Sequence, residues 1–219
     1  MAPEETEGYR ERYVSSRHGL RLYCRDYGSP LSKKAALLCL AGIARNSKDF
    51  HKPALRLSAN RRVVTFDYRG RGLSDYESNI DRYRPEFHLD DAFQVITALG
   101  LHEPVLLGTS FGGLLAMGIS VVSPGSVRGL ILNDIGPEID LESTEELMKI
   151  IANSTSVANW DQAVERMKLA VPDLNLESED RWRIFAEGTF KPGPDGRLYP
   201  DWDPKAITVA SKSGKTLPD

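Results

Sequence analysis

Residues 105–113 read Val-Leu-Leu-Gly-Thr-Ser-Phe-Gly-Gly, and this stretch limits the fold more than any other in the chain. An apolar strand runs into Gly108-Thr109-Ser110-Phe111-Gly112 and on into an apolar stretch with helical spacing. A strand that turns directly into a helix holds its apex residue in a strained backbone conformation. Glycines are needed where a Cβ would collide with the neighbouring strand and helix. Ser110 occupies that apex and is predicted to stand exposed at the edge of a sheet. Five residues of this kind recur by chance, so the flanking strand and helix give the pattern its weight.

The rest of the chain fits a soluble α/β domain. With 41% hydrophobic and 27% charged residues in 219, it can bury one sizeable core. A net charge of -3 gives no electrostatic reason to expect nucleic acid or an anionic membrane as partner. No apolar run approaches the roughly 20 residues that span a bilayer. The start, Met-Ala-Pro-Glu-Glu-Thr-Glu, is acidic, unlike a secretory or transit signal, so a cytoplasmic location is expected. Cys24 and Cys39 lack metal or redox spacing and are expected as buried, reduced thiols.

Two alternating segments around Arg17-His18-Gly19 predict a β-hairpin over 13–27. Apolar strands are predicted at 35–40, 62–66, 105–107 and 129–132, with helices at about 47–59, 90–99 and 112–122. Strands apolar on both faces that alternate with helices imply a mostly parallel sheet covered on each side, whose sites form at the strands' carboxyl ends. The loops at 41–45, 67–75, 109–113 and 133–138 fall there. Beyond Pro137, amphipathic helices are predicted at 143–151, where Ser143-Thr144-Glu145-Glu146 offers a capping box, and at 158–170 and 179–187. The chain thus divides into a core over 1–137, a helical insertion over 138–190, and a turn-rich, poorly structured tail over 191–219, whose last fifteen residues carry no core pattern. Gly214-Lys215-Thr216 lacks the earlier glycine of a phosphate loop, since Val209 stands there. No cofactor and no metal are expected.

In that order the motifs resemble the α/β-hydrolase superfamily, in the branch with a helical cap after the sixth strand. The residues that carry the resemblance are Leu38-Cys39-Leu40-Ala41-Gly42-Ile43, the run from Phe66 to Asp75 (Phe-Asp-Tyr-Arg-Gly-Arg-Gly-Leu-Ser-Asp), the turn at Ser110, and Leu132-Asn133-Asp134-Ile135-Gly136-Pro137-Glu138. The match covers about 10–205. It implies hydrolysis of a small ester, lactone or related bond, with Ser110 as nucleophile. The backbone N–H groups of Phe111 and Ile43 would form the oxyanion hole. Relatives often carry histidine where Ala41 stands, which removes side-chain contacts there but leaves the backbone donors. Asp134 is either the triad acid, as in some relatives, or a carboxylate that fixes the hinge of the cap by hydrogen bonds. Asp67, Arg69 and Asp75 are expected to form ion pairs that hold their glycine-rich loop together. Met148, Trp160, Met167, Trp182 and Phe185 are expected to pack the cap, and could also line an apolar pocket.

A serine nucleophile needs a base, and in this fold the base follows the acid. Here His18, His51, His88 and His102 all precede Ser110. Of these His88 is the best placed, without matching the family's base. The resemblance therefore implies that the C-terminal strands of the core, with the acid loop and histidine, are missing, and that an uncovered sheet edge is left for self-association. Two readings follow: a hydrolase of small esters, inactive or weakly active as this chain, or a non-catalytic module that binds small molecules or partners. A second chain completing the site in trans is a third arrangement.

Overall fold

The computed structural model describes residues 5–6, 8–136, 138, 141–172 and 174–213. Residues 1–4, the side chains of the 143–146 run and Gly214-Lys215-Thr216 lie outside the described residues. The chain opens with three antiparallel strands, β1 (Glu5–Thr6), β2 (Tyr9–Ser15) and β3 (Arg21–Tyr27). Four parallel strands follow: β4 (Leu37–Leu40), β5 (Val63–Phe66), β6 (Val105–Thr109) and β7 (Gly129–Asn133). They form one sheet in the order β1-β2-β3-β5-β4-β6-β7, in which β3 joins β5 antiparallel. Helices cover both faces. They are α1 (His51–Ser58), α2 (Pro85–Ala98) and α3 (Phe111–Val122).

The burial of each strand follows its sequence. Leu-Leu-Cys-Leu of β4 and Val-Val-Thr-Phe of β5 are buried at every position, as central parallel strands require. The charged alternation of β2 leaves one face in water. Cys24 and Cys39 are buried free thiols, and burial pushes the Cys39 thiol up to about 12. Helix α2 begins five residues before the predicted start, because Pro85 at its first turn is preset for helical φ and its missing N–H costs nothing there.

The helical insertion comprises α4 (Leu141–Ala152), α5 (Trp160–Ala170) and α6 (Glu179–Glu187). Asn159 and Ser178 cap α5 and α6 through their side chains. Ala163, Met167, Trp182 and Ala186 pack with Phe190 and Leu198 into a separate cluster, so Met167 and Trp182 are core residues here. Among the described residues no helix is long and apolar enough to cross a membrane.

The stretch from 191 differs from its expectation as a poorly structured tail. Strands β8 (Phe190–Pro192) and β9 (Leu198–Pro200) make a hairpin, and α7 (Pro204–Ser213) follows. Ala206 and Ile207 are fully buried, and Trp202 and Ile207 join Ile43, Ala44 and Met148 in a third apolar cluster. The prolines suit short strand ends and a helix start as well as loops, and an apolar stripe of three residues is too short to stand out among Lys and Ser.

The glycine-rich loop at 67–75 is more deeply tied than ion pairs alone would make it. Arg69 is a bidentate donor to Asp91 on α2, at 2.7 and 2.6 Å, with both side chains fully buried. Asp75 pairs with Arg21. Among the described residues Asp67 has no cation within ion-pair distance: its two oxygens accept the backbone N–H groups of Ser47 and Leu73, at 2.7 and 2.9 Å. Removing one partner of a buried pair strands the other charge. Arg69→Ala is therefore expected to destabilise the fold by about 3–5 kcal/mol, read as a lower urea midpoint. Arg69→Met combined with Asp91→Leu is expected to recover most of that loss.

Candidate active site

Strand β4 has β5 on one side and β6 on the other, so the connections leaving its end and that of β6 diverge. In an open parallel sheet that divergence makes a crevice at the carboxyl ends of the strands. The loop at 41–45 and the turn at Ser110 lie at that crevice.

The turn is as sharp as its glycines require. Ser110 has φ 51° and ψ -120°, outside the regions a serine ordinarily adopts. Its N–H donates to the Asn133 carbonyl at 3.2 Å, which braces the apex on β7, and its carbonyl accepts the N–H groups of Gly113 and Leu114. A Cβ at Gly112 would overlap the Leu40 carbonyl, and one at Gly108 would overlap the Gly112 backbone. Only glycines let α3 start this close to β4 and β6. Phe111 opens α3, where a backbone N–H has no helical acceptor and the helix dipole favours negative charge.

The loop after β4 faces this helix start. A Cβ on Gly42 would lie 3.9 Å from the Ser110 Cβ. Three successive carbonyls of the loop are turned away and held: Ala41 accepts from the Tyr68 hydroxyl at 3.0 Å, Gly42 from the Arg45 N–H at 3.0 Å, and Ile43 from Arg71 Nε at 2.9 Å. Among the described residues, neither the N–H of Ile43 nor that of Phe111 has a hydrogen-bond partner. Tyr68, Arg45 and Arg71 were not singled out from the sequence. Their one signal was position, within or beside the glycine-containing loops.

Asp134 follows Asn133, the residue that braces the Ser110 N–H, and is exposed with φ 56°. Asn133 Nδ2 donates to Thr109 Oγ1 at 3.3 Å, tying the end of β7 to the turn. Ser110, Ile43, Phe111 and Asp134 thus share the ends of adjacent strands, and among the described residues no hydrogen bond links Asp134 or any histidine to Ser110 Oγ. His18 meets the Phe87 ring edge-on, Tyr27 Oη lies 3.1 Å from His51 Nδ1, and His102 lies near the amino end of β6. His88 packs against Phe111, the residue that follows Ser110. It lies buried beneath Phe111, edge-on to the Tyr68 and Phe111 rings at 5.5 and 5.4 Å, with no hydrogen bond of ordinary geometry at either nitrogen.

Residues just past Ile43 reach the helical insertion. Arg45 Nη1 donates to the Phe185 carbonyl at 3.3 Å and to Thr189 Oγ1, and its guanidinium lies 4.1 Å over the Phe185 ring. Asn46 Nδ2 donates to the Gly188 carbonyl and Lys48 Nζ to the Glu187 carbonyl, at 3.1 and 3.2 Å. Among the described residues, no group of His, Cys, Asp and Glu could hold a metal.

Residues 35–174 match the family model of the alpha/beta hydrolase fold. The chain is 26% identical over 196 residues to the 3-hydroxybutyrate-oligomer hydrolase of Cupriavidus necator, covering 88% of this chain and 67% of that protein. It is 30% identical over 182 residues to the 2-(acetamidomethylene)succinate hydrolase of Mesorhizobium japonicum, covering 83% of this chain and 62% of that protein. An α/β hydrolase structure from Novosphingobium aromaticivorans superposes with a TM-score of 0.84 at 32% identity, over 91% of this chain and 70% of that one. The chain therefore spans about two thirds of the length of these relatives.

Burial, aided by Arg71 and Arg69, holds the His88 pKa well below the ordinary 6.5, while the Tyr83 backbone carbonyl pulls weakly the other way. The folded state thus keeps His88 neutral where the unfolded chain takes up a proton. Stability is expected to fall as pH drops below about 6.5, by at most about 1.4 kcal/mol per pH unit from this group. Urea midpoints measured from pH 7 to 5 are expected to lose that part of their slope in His88→Phe.

Proposed function

The chain belongs to the α/β-hydrolase fold family, and we propose that its site opens small carboxylic esters or lactones through Ser110. One observation carries this reading: a strained Ser110 faces a loop and a helix start that each offer an unpartnered N–H, from Ile43 and Phe111. Relatives that hydrolyse small molecules agree with it.

In the reaction, Ser110 Oγ attacks the carbonyl carbon and the carbonyl oxygen becomes an oxyanion. The N–H groups of Ile43 and Phe111 then donate to that oxyanion. Collapse expels the alcohol and leaves an acyl-Ser110, which water hydrolyses to the acid. The proton of Ser110 needs an acceptor. Among the described residues no histidine is hydrogen-bonded to Ser110, and Asp134 would be the acid that orients a base supplied there. With water as acceptor, turnover falls to the level of dismantled triads, about 10³ to 10⁴ over the uncatalysed rate.

The helical insertion is the cap over this site, with the substrate's apolar part beneath it. The free edge of β7, where Ile131 and Leu132 are 48% and 36% exposed, is the surface for self-association. Sedimentation of the chain as a strict monomer would exclude that contact. The reduced thiols of Cys24 and Cys39 suit a cytoplasmic setting.

A second reading is a non-catalytic module that binds small molecules or partners, which the lack of any hydrogen bond from a histidine to Ser110 Oγ among the described residues would allow. Labelling separates the two. An alkyl fluorophosphonate is expected to modify Ser110 stoichiometrically, and slow hydrolysis of p-nitrophenyl acetate is expected to vanish in Ser110→Ala. Absence of labelling, with equal turnover in both proteins, would establish the non-catalytic module.

A further inference from the structure

Arg69 and Arg71 lie two residues apart in one loop, and both are fully buried. Arg69 has its carboxylates, Asp91 and Glu77. Arg71 has none within ion-pair distance among the described residues. Its Nε donates to the Ile43 carbonyl and its Nη1 to the Arg69 carbonyl, both at 2.9 Å, and its Nη2 has no partner. A buried cation without a counter-ion is costly. Burial accordingly pulls its pKa down to about 10, against the pull of Tyr83, Tyr68, Asp203 and Tyr76. Neutral apolar packing would serve the fold better at this position, so the charge calls for another role.

The backbone of Arg71 is itself braced. It forms a bridge with Trp202, while the Gly72 N–H donates to the Asp201 carbonyl at 3.1 Å and the Asp203 N–H to the Gly70 carbonyl at 2.7 Å. A fixed arm therefore grips the Ile43 carbonyl from behind. The Ile43 carbonyl and N–H belong to two peptides joined at one Cα. With Ala41 held by Tyr68 and Gly42 by the Arg45 N–H, the grip on Ile43 removes the loop's remaining freedom. His88, close enough to feel the same charge, stays neutral and does not compete for it.

We infer that Arg71 is a positioning residue of the oxyanion hole: it aims the Ile43 N–H through the Ile43 carbonyl, and its charge, with no carboxylate at ion-pair distance among the described residues, favours the negative oxygen formed at Ser110. The inference rests on the reading of Ser110 and Ile43 given above, and two independent measurements keep the two apart.

The first is amide hydrogen exchange in the wild type and in Arg71→Met, with thermal unfolding as a check of the fold. The Arg45 amide, bonded to Gly42, is expected to exchange at least about tenfold faster in Arg71→Met, while amides of β4 stay unchanged. The second is inactivation by an alkyl fluorophosphonate, whose adduct needs the same hole. The first-order rate is expected to fall by about 10- to 100-fold in Arg71→Met, below the 10²–10³ cost of deleting a donor outright. Reversible affinity for the reagent is expected to stay within about twofold. Arg71→Lys, which keeps a charge and a donor, is expected to regain about tenfold of the rate, and Arg71→Gln replaces the Met variant if that fails to fold. Unchanged exchange at Arg45 or equal inactivation rates would overturn the inference. If the wild type is not labelled, the Ser110 reading fails, and exchange alone decides whether Arg71 grips the loop.

Discussion

The backbone of α3 touches the backbone of β4 at Gly112, where any side chain would overlap the Leu40 carbonyl. This contact fixes how far α3 can rise from the sheet, and so where Ser110, Phe111 and the loop after β4 meet. Ser110 is left with a backbone strain of order 1–3 kcal/mol. The strain is held because β4, beside the turn, is buried at every position and the apex N–H is tied to Asn133 on β7. A serine so held is presented outward with few rotational alternatives, and that preparation is made before any substrate arrives.

The loop at 67–75 supports the opposite wall. It lies between the loop after β4, which it reaches through Tyr68, Arg71 and the Asp67 carboxylate, and the segment 201–203, which it meets through backbone hydrogen bonds. Its charges divide the work. Arg69 is neutralised and anchors the loop to α2; Asp67 accepts the backbone N–H groups of Ser47 and Leu73; Arg71 donates to carbonyls. Segments distant in sequence thereby form one rigid wall beside Ser110.

Most of this architecture was legible in the sequence, because the strands and helices around Ser110 carry strong local periodicity and their glycines sit where two backbones meet. The start of α2 lies before the periodic stretch that begins at Asp90, because Pro85 serves as a first-turn residue. The hairpin and helix after residue 190 went unread because their apolar residues are few and their prolines mimic a loop. Ser110, Ile43 and Phe111 are singled out by their position in motifs, and the structure brings them to the ends of adjacent strands. Arg71 is not so singled out, since its meaning lies in a partner it lacks, and only the fold shows which charges are paired.

The straps from Arg45, Asn46 and Lys48 hold the helical insertion by the carbonyls of residues 185, 188 and 187. A carbonyl is the one acceptor that every amino acid supplies. Side chains of α5 and α6 other than Phe185 can therefore be exchanged over a wide range, reshaping whatever lies beneath them, without loosening these backbone straps. Thr189 is held by its own side chain as well, and Phe185 by its ring beneath Arg45. The fold thus separates a part free to drift in evolution from a part that must stay still, and the seam between them is written in main chain.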